Sequence, residues 1–376
     1  MAFTERYITS DAAGGNDGSQ FAEGGGGTGP WTLPEFLTSA VAGDRGNAEG
    51  GTYPDLVADA FSNAGTVTAP IVLRGCNTAI GDLDNLGRNA DGTLNTTNVP
   101  DITLTGILLP NVHCLLQNLD ITGALSSTLI GDLVIDQWHM LNCRVINTQN
   151  NSLAQCVRGD NFHQMINCDF SCTGAAHGIL VNMDQRNYFN GCRFETTSTN
   201  PCVGLQNGVF IGCSFFGNGS SVGISCDAAV TSPLMLIVDH CTFQGIGRCI
   251  VMSSATHTHN PVVTNCHATD SSEYFDNTSA TTVYIIEANN RTRDITSTLR
   301  TGLEPIIINE VLTDTGGAST DYVDAGSNDF RLIAAAPGYE KGMTPFTSIG
   351  AAHITDPAGG GGGLLIHPGM TGGVRG

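Results

Sequence analysis

Residues 165 to 170 read MINCDF, and close variants of this hexamer recur along the chain. The variants are MLNCRV (140 to 145), FNGCRF (189 to 194), FIGCSF (210 to 215), VDHCTF (238 to 243) and VTNCHA (263 to 268). Their cysteines lie 21 to 28 residues apart and form an internal repeat: Cys143, Cys168, Cys192, Cys213, Cys241 and Cys266. A repeat of this length is typical of a solenoid, in which each coil packs on its neighbours.

The aligned hexamers alternate between apolar and polar positions. The fourth position is always cysteine and the sixth is Val, Phe or Ala. The fifth position is polar throughout: Arg144, Asp169, Arg193, Ser214, Thr242 and His267. Because successive side chains of a strand point to opposite faces, the cysteine and the sixth residue are predicted to point into the coil and the fifth residue outward.

The residue before each cysteine predicts a bend in the chain. This position holds Asn142, Asn167, Gly191, Gly212, His240 and Asn265. Asn, Gly and His are residues that tolerate a positive φ angle. We therefore expect a one-residue left-handed corner between two short strands in each coil.

A further apolar segment follows each corner, as in QCVRG (155 to 159) and PCVGL (201 to 205), and predicts another strand per coil. Three short strands in a coil of about 24 residues resemble the right-handed parallel β-helix of the pectate-lyase-like superfold. The resemblance covers residues 66 to 290. It implies an all-β solenoid of about nine coils, with a short helical cap at the N-terminal end.

The segments that flank the repeats suggest a division of the chain into five parts. These are a Gly-rich N-terminal arm (1–30), an N-terminal cap (31–65), the parallel β-helix (66–290), a closing segment (291–357) and a Gly-rich tail (358–376). The tail ends in apolar residues that we expect to dock on another subunit or on a larger assembly: Leu364, Leu365, Ile366 and Met370.

The net charge of −20 argues against a nucleic-acid partner, because phosphate backbones require cationic surfaces. It also argues against binding to anionic membranes. The first fifteen residues contain no apolar core of the kind found in a secretory signal, and we expect synthesis in the cytoplasm. Nothing in the composition points to a cofactor.

Two interpretations of the regularly spaced cysteines remain open. They form either a ladder of disulfides or metal ligands, or a column of small buried side chains. Stacked parallel strands point every Cβ in the same direction, which suits disulfides poorly, and no zinc-like spacing is present. The sequence favours buried, reduced thiols.

Candidate catalytic residues are few. Asp160, Asp169 and Asp184, with Arg193, are weak candidates for a catalytic groove on the outside of the coils. Asp169 is also explained by a charge ladder, because Arg144 and Arg193 occupy its position in the adjacent repeats. No paired-carboxylate motif appears, so the sequence favours a protein without catalytic activity.

His257 and His259 are weak candidates for a metal site, since an HTH tripeptide is similar to the His-x-His sets that hold iron in some trimeric phage spikes. The alternative interpretation is a solvent-exposed loop. Carbohydrate platforms use exposed aromatic rings. The chain has two tryptophans, of which Trp31 is expected in the cap.

A rod without a signal sequence or catalytic cluster resembles the virion β-helix proteins of tailed bacteriophages. This resemblance implies a non-catalytic spike, fibre or capsid decoration, located in the virion and assembled as a homotrimer with other virion proteins such as capsid or tail, and with a host-surface glycan as a further partner. The alternatives are a polysaccharide-binding or polysaccharide-degrading β-helix and an extracellular filament subunit.

Overall fold

The computed structural model describes residues 2–22, 27–56, 60–83, 86–89, 91–132, 135–226, 236–253, 261–278, 283–293, 295–296, 298–301, 303–307, 312–314, 322–324 and 329–332. Within these ranges the chain coils into a parallel β-solenoid of about nine turns, as the repeat predicts. Three long sheets of 12, 11 and 8 strands run along the solenoid, and a complete coil contributes one strand to each sheet in turn.

Sheet A and sheet B meet at the cysteine-containing corner. The strands of sheet A, from one end of the solenoid to the other, are Thr4–Ile8, Asp44–Glu49, Ile71–Cys76, Cys114–Gln117, His139–Leu141, Gln164–Ile166, Asn187–Asn190, Gly208–Ile211, Leu236–Asp239, Val262–Thr264, Val283–Ala288 and Leu303–Ile307. Those of sheet B are Thr52–Leu56, Asp101–Leu104, Asp120–Gly123, Arg144–Asn147, Asp169–Cys172, Arg193–Thr196, Ser214–Phe216, Thr242–Gln244, His267–Thr269, Arg291–Arg293 and Leu312–Asp314.

Sheet C closes each coil between sheet B and the next strand of sheet A. Its strands are Thr128–Ile130, Gln155–Gly159, Val181–Met183, Pro201–Leu205, Val222–Cys226, Arg248–Met252, Glu273–Asn277 and Thr298–Thr301. A separate antiparallel hairpin pairs Tyr322–Asp324 with Asp329–Leu332.

The N-terminal end of the solenoid carries the predicted helix, Leu33–Ser39. Thr32 and Glu35 form a capping box there, which satisfies backbone donors that the first helical turn leaves free. The helix buries Leu33, Phe36 and Leu37 against the core, so it closes the open end of the apolar interior. Within the described residues no helix has the length and apolarity needed to cross a membrane.

The left-handed corner is confirmed at every repeat. The residues before the six cysteines have φ angles between 51° and 62°: Asn142, Asn167, Gly191, Gly212, His240 and Asn265. Asparagines on successive coils are also linked, since Asn142 Nδ2 donates to Asn118 Oδ1 at 3.0 Å and Asn167 Nδ2 donates to Asn142 Oδ1 at 2.8 Å. The amide ladder satisfies polar groups that the corner would otherwise bury without partners.

The six cysteines form a buried column of free thiols, which confirms the second interpretation of their spacing. Their sulfurs contact backbone carbonyls, as Cys192 Sγ does with Met165 O at 3.2 Å. Burial raises the pKa of Cys168, Cys213 and Cys241 in this column well above the ordinary thiol value, which keeps these side chains protonated. The cysteines therefore act as small apolar side chains.

The sixth position of the hexamers builds a stack of phenyl rings through the core. Phe170, Phe194, Phe215 and Phe243 lie face to face, with successive ring centroids 5.4, 4.9 and 4.7 Å apart. The strand pairing places these residues directly opposite one another in sheet B. The inward register predicted from the sequence is confirmed.

The fifth position of the hexamers points away from the core, but most of its residues are buried rather than exposed. Asp169, Arg193 and Thr242 are each 5% exposed or less. Over part of sheet B this position is covered by residues 86–89 and 91–94, the crossing segment, which places Arg88 and Leu94 on Asp169. Alternation along a strand gives the direction of a side chain and does not reveal a loop that covers it.

The predicted charge ladder around Asp169 is right in register and wrong in its partners. Arg144, Asp169 and Arg193 are indeed neighbours across sheet B. However, Asp169 pairs with Arg88, whereas Arg144 pairs with Asp120 and Arg193 with Glu195. The arginine that neutralises Asp169 comes from the crossing segment and not from the ladder.

Candidate functional site

The turn that leads from sheet C to sheet A repeats a carboxylate on three successive coils. Asp136, Asp160 and Asp184 follow the sheet C strands Thr128–Ile130, Gln155–Gly159 and Val181–Met183. The backbone N–H of Asp184 donates to Asp160 O at 3.0 Å, which holds two of the turns in register. The three side chains therefore form a row along the outside of the solenoid, about 4.8 Å apart per coil.

Amide groups join the three carboxyl groups into a network. Asn161 donates from its backbone N to Asp136 Oδ1 at 2.9 Å and from Nδ2 to Asp160 Oδ1 at 2.6 Å. On the other side Gln206 Nε2 donates to Asp184 Oδ1 at 2.6 Å. Each carboxyl group is half-buried and keeps one side toward solvent. The network orients these oxygens without closing them off.

The surroundings of Asp160 make this carboxyl group a weaker acid than an isolated aspartate. Burial, the nearby carboxylate of Asp136 and the hydrogen bond with Asp184 raise the pKa of Asp160 to about 6. Two carboxyl groups in contact cannot both be ionised without mutual repulsion, so the first proton is held more tightly than by an isolated aspartate. Below about pH 6 the protonated Asp160 therefore adds a hydrogen-bond donor to the acceptors of the carboxyl row.

An exposed aromatic ring stands beside this carboxyl row. Phe162 is 40% exposed although it is a large apolar residue, and its φ angle of 63° is rare for a bulky side chain. The Arg186 guanidinium lies over the ring, 4.9 Å from its centroid. The backbone conformation and the exposure both cost free energy, and neither contributes to the core.

Polar groups lie close to the exposed ring, namely the Arg186 guanidinium over it and the carboxyl row next to it in sequence. The backbone N–H of Arg186 donates to Asn207 Oδ1, which fixes the turn that carries the arginine. We call the set formed by Asp136, Asp160, Phe162, Asp184 and Arg186 the corner site. It combines an apolar platform with fixed polar groups, which is the usual make-up of a small-molecule or glycan site.

The structure separates the four candidate catalytic residues into two groups. Asp160 and Asp184 belong to the corner site, between sheets C and A. Asp169 and Arg193 are strand residues of sheet B, and both side chains are buried. Asp169 lies under Arg88 and Leu94 of the crossing segment. The structure therefore does not join the four residues into one groove.

No three His, Cys, Asp or Glu side chains in the described ranges converge closely enough to hold a metal ion. The candidate metal ligands His257 and His259 lie outside the described residues, as do the tail residues Leu364, Leu365, Ile366 and Met370. The two tryptophans do not supply an exposed platform, since Trp31 and Trp138 are both buried.

Sequence reasoning placed Arg186 near the candidate carboxylates but missed Asp136 and Phe162 as members of this site. A signal was present, because Asp136, Asp160 and Asp184 are separated by 24 residues each, which is the length of one coil. Equal spacing places residues on one line along the solenoid. The exposure of Phe162 had no such signal, since an aromatic residue in a repeat is usually buried.

Replacing Asp160 by asparagine should alter how the free energy of unfolding depends on pH. Because the pKa of Asp160 is raised to about 6 from an ordinary value near 4, the folded chain keeps a proton that the unfolded chain releases between those values. This contribution to stability is fully present below about pH 4 and is lost as pH rises through about 6. Asp160→Asn should therefore be more stable than the parent chain at pH 8, and its stability should depend less on pH between 4 and 6.

Urea unfolding of the parent chain and of Asp160→Asn at pH 4, 5, 6 and 8 measures this effect. Asp11→Asn, on the exposed surface of the N-terminal arm, is the matched control and should follow the parent chain. Identical pH profiles for Asp160→Asn and the parent chain would contradict the raised pKa of Asp160.

Comparison with known proteins gives similarity only at the level of structure. No protein-family model and no curated protein matches this sequence. Among solved structures the chain is similar to pectate lyase Pel9A, with 14% identity, a TM-score of 0.49, and coverage of 93% of this chain and 96% of that one.

Two further solved structures show a similar path of the chain. A rhamnogalacturonan lyase has 12% identity and a TM-score of 0.48, with 85% and 90% of the two chains covered. The PL6 family polysaccharide lyase Pedsa3628 from Pseudopedobacter saltans has 13% identity and a TM-score of 0.43, with 72% and 75% covered. The strand pairing described above establishes the parallel β-helix independently of these similarities.

Proposed function

We propose that this chain is a polysaccharide-binding β-helix and that the corner site binds the glycan. The observation that carries the proposal is the exposed ring of Phe162, which has a positive φ, lies under the Arg186 guanidinium and follows Asp160 of the carboxyl row by two residues. An aromatic face next to fixed hydrogen-bonding groups suits the two surfaces of a sugar, its C–H face and its hydroxyl edge.

The repetition of the polar groups favours a polymer over a single sugar. Carboxyl and amide side chains recur on successive coils, from Asp136 and Asn161 to Asp184 and Gln206. A glycan lying along the solenoid would meet a comparable pair of groups about every 4.8 Å. Each group is already oriented by a neighbour, so little side-chain freedom is lost on binding.

The distance between the carboxyl groups favours binding over hydrolysis. Glycoside hydrolases place two carboxyl groups about 5 to 9.5 Å apart, on either side of the scissile bond. Asp160 and Asp184 instead occupy equivalent turns on adjacent coils, about 4.8 Å apart along the solenoid, so they lie side by side in one row and not on opposite sides of a bond. The pair is suited to donating and accepting hydrogen bonds with hydroxyl groups.

Glycan binding by the full chain tests the proposal directly. Affinity electrophoresis or a glycan array, with neutral and acidic polysaccharides such as pectate, alginate and bacterial capsule, should show binding. Phe162→Ala should weaken it by about 10-fold or more, because a stacking ring contributes on the order of 1.5 kcal/mol. Arg186→Gln should weaken binding in the same direction.

Leu153→Ala is the matched control, since Leu153 is also an exposed apolar turn residue, at 68% exposure, and lies outside the corner site. It should bind like the parent chain. Absence of any glycan binding by the parent chain, or equal binding by Phe162→Ala, would refute the proposal. Release of new reducing ends that Asp160→Asn abolishes would instead assign a polysaccharide-degrading activity.

The virion role expected from the sequence remains a second prediction, compatible with glycan recognition at a host surface. Its support is the resemblance of an extended rod to phage spikes and fibres. Mass spectrometry of purified virions decides it, because a structural component would be present at a fixed ratio to the capsid protein.

A further inference from the structure

The outward face of sheet A is unusually apolar for a surface. Its two outward columns contain half-buried aliphatic and aromatic side chains on eight successive strands, from Cys114–Gln117 to Val283–Ala288. These residues, which we call the apolar sheet face, are Leu115, Leu141, Ile166, Tyr188, Val209, Ile211, Ile237, Val262 and Ile286. Their side chains point away from the core, which the inward residues of the same strands already fill.

Polar residues complete the two columns but add little charge. They include His139, Gln164, Asn190 and Thr264. Among the described residues of these columns between 115 and 288, Asp239 is the only carboxylate, and it accepts hydrogen bonds from Thr264 and Asn265. The rest of the chain carries a large excess of negative charge, with a net charge of −20. The apolar sheet face is therefore a nearly uncharged strip on an acidic protein.

We propose that this face is the contact between copies of this chain. A flat strip of regularly spaced rows has the same rise per strand, about 4.8 Å, as the strip on a second copy, so side chains can interlock along the whole length. Two acidic chains repel each other, and a contact through this strip brings few carboxylates together, because Asp239 is the one carboxylate among its described residues.

The size of the face is sufficient for a specific contact. Eight strands at about 4.8 Å and four residues at about 3.3 Å give a strip of roughly 38 by 13 Å. Two such strips bury about 1,000 Å² in total, which reaches the lower limit for specific interfaces. A contact of this size and polarity is expected to be reversible in the micromolar range of protein concentration.

Sedimentation velocity of the full chain tests the proposal. The parent chain should form a species with a mass that is a multiple of 39.2 kDa. Ile211→Asp and Ile237→Asp, at the centre of the face, should each raise the dissociation constant by about 30-fold or more while circular dichroism stays unchanged. Leu153→Asp, which places the same charge on an exposed apolar residue away from the face, should associate like the parent chain.

Salt provides an independent readout. Association through a nearly uncharged face between acidic chains should become stronger when NaCl is raised from 50 to 500 mM, because salt screens the repulsion between the chains. Over this range the Debye length falls from roughly 14 Å to roughly 4 Å. A monomeric parent chain at about 100 µM, or full association of Ile211→Asp and Ile237→Asp, would overturn the proposal. Loss of association only on deletion of residues 358–376 would also overturn it, since the contact would then depend on the tail.

Discussion

Replacing Phe194 by alanine should lower the free energy of unfolding by about 3 to 5 kcal/mol. The ring is fully buried and stacks between Phe170 and Phe215, with centroids 5.4 and 4.9 Å away, while Phe189 meets its edge at 5.8 Å. The strand pairing fixes all of these neighbours, so they cannot move together to fill the cavity. Most of the lost packing energy should therefore appear as lost stability.

Urea unfolding monitored by circular dichroism measures this change. Solenoids can unfold in more than one step, so the slope of the transition must be compared with that of the parent chain before midpoints are converted to free energies. Leu153→Ala is the control, because it removes a similar volume from an exposed side chain and should change stability by no more than about 0.5 kcal/mol. Equal losses for the two variants would mean that the inward register of sheet B is wrong.

Replacing Arg88 by methionine should cost about 3 to 5 kcal/mol, because it leaves a buried carboxylate without its counter-charge. Arg88 Nη1 lies 2.5 Å from Asp169 Oδ1, and both side chains are 7% exposed. The guanidinium also donates to Asn167 Oδ1 and to Gly191 O, each at 2.8 Å. One residue of the crossing segment thus links two consecutive coils.

The additional replacement of Asp169 by asparagine identifies the cause of the loss. In the double variant Arg88→Met with Asp169→Asn the buried charge is gone, so much of the lost stability should return. Arg45→Met is the matched control, because the Arg45–Glu5 pair is more exposed and should be worth no more than about 1 kcal/mol. A loss for Arg88→Met as small as that for Arg45→Met would contradict the proposed role of the crossing segment.

The position of Arg88 has a physical explanation in the asparagine ladder. Asn118, Asn142 and Asn167 are linked by amide hydrogen bonds, and the next corner residue is Gly191, which has no side chain to continue the ladder. Asn167 Oδ1 and the corner carbonyl of Gly191 are then left for another donor. The planar Arg88 guanidinium serves both and pairs with Asp169 as well.

The amino-acid sequence by itself determined the coil of this protein. The alternation within MINCDF and its variants set which side chains point inward, and the residue before each cysteine set the left-handed corner. These features depend on neighbours within a few residues and on a repeat of nearly constant length. For the same reason the buried thiols and the inward direction of the sixth position could be predicted from the sequence.

Only the tertiary structure decided what lies on the outside of the coils. Arg88 reaches Asp169 across 81 residues of sequence, and no local pattern indicates which coil a crossing segment will cover. Phe162 is exposed and Thr242 is buried, although residue type alone favours the opposite. The corner site likewise arises because the coils stack in register and bring residues 24 positions apart into contact. Exposure and contact between coils are properties of the assembled solenoid, and a single repeat does not contain them.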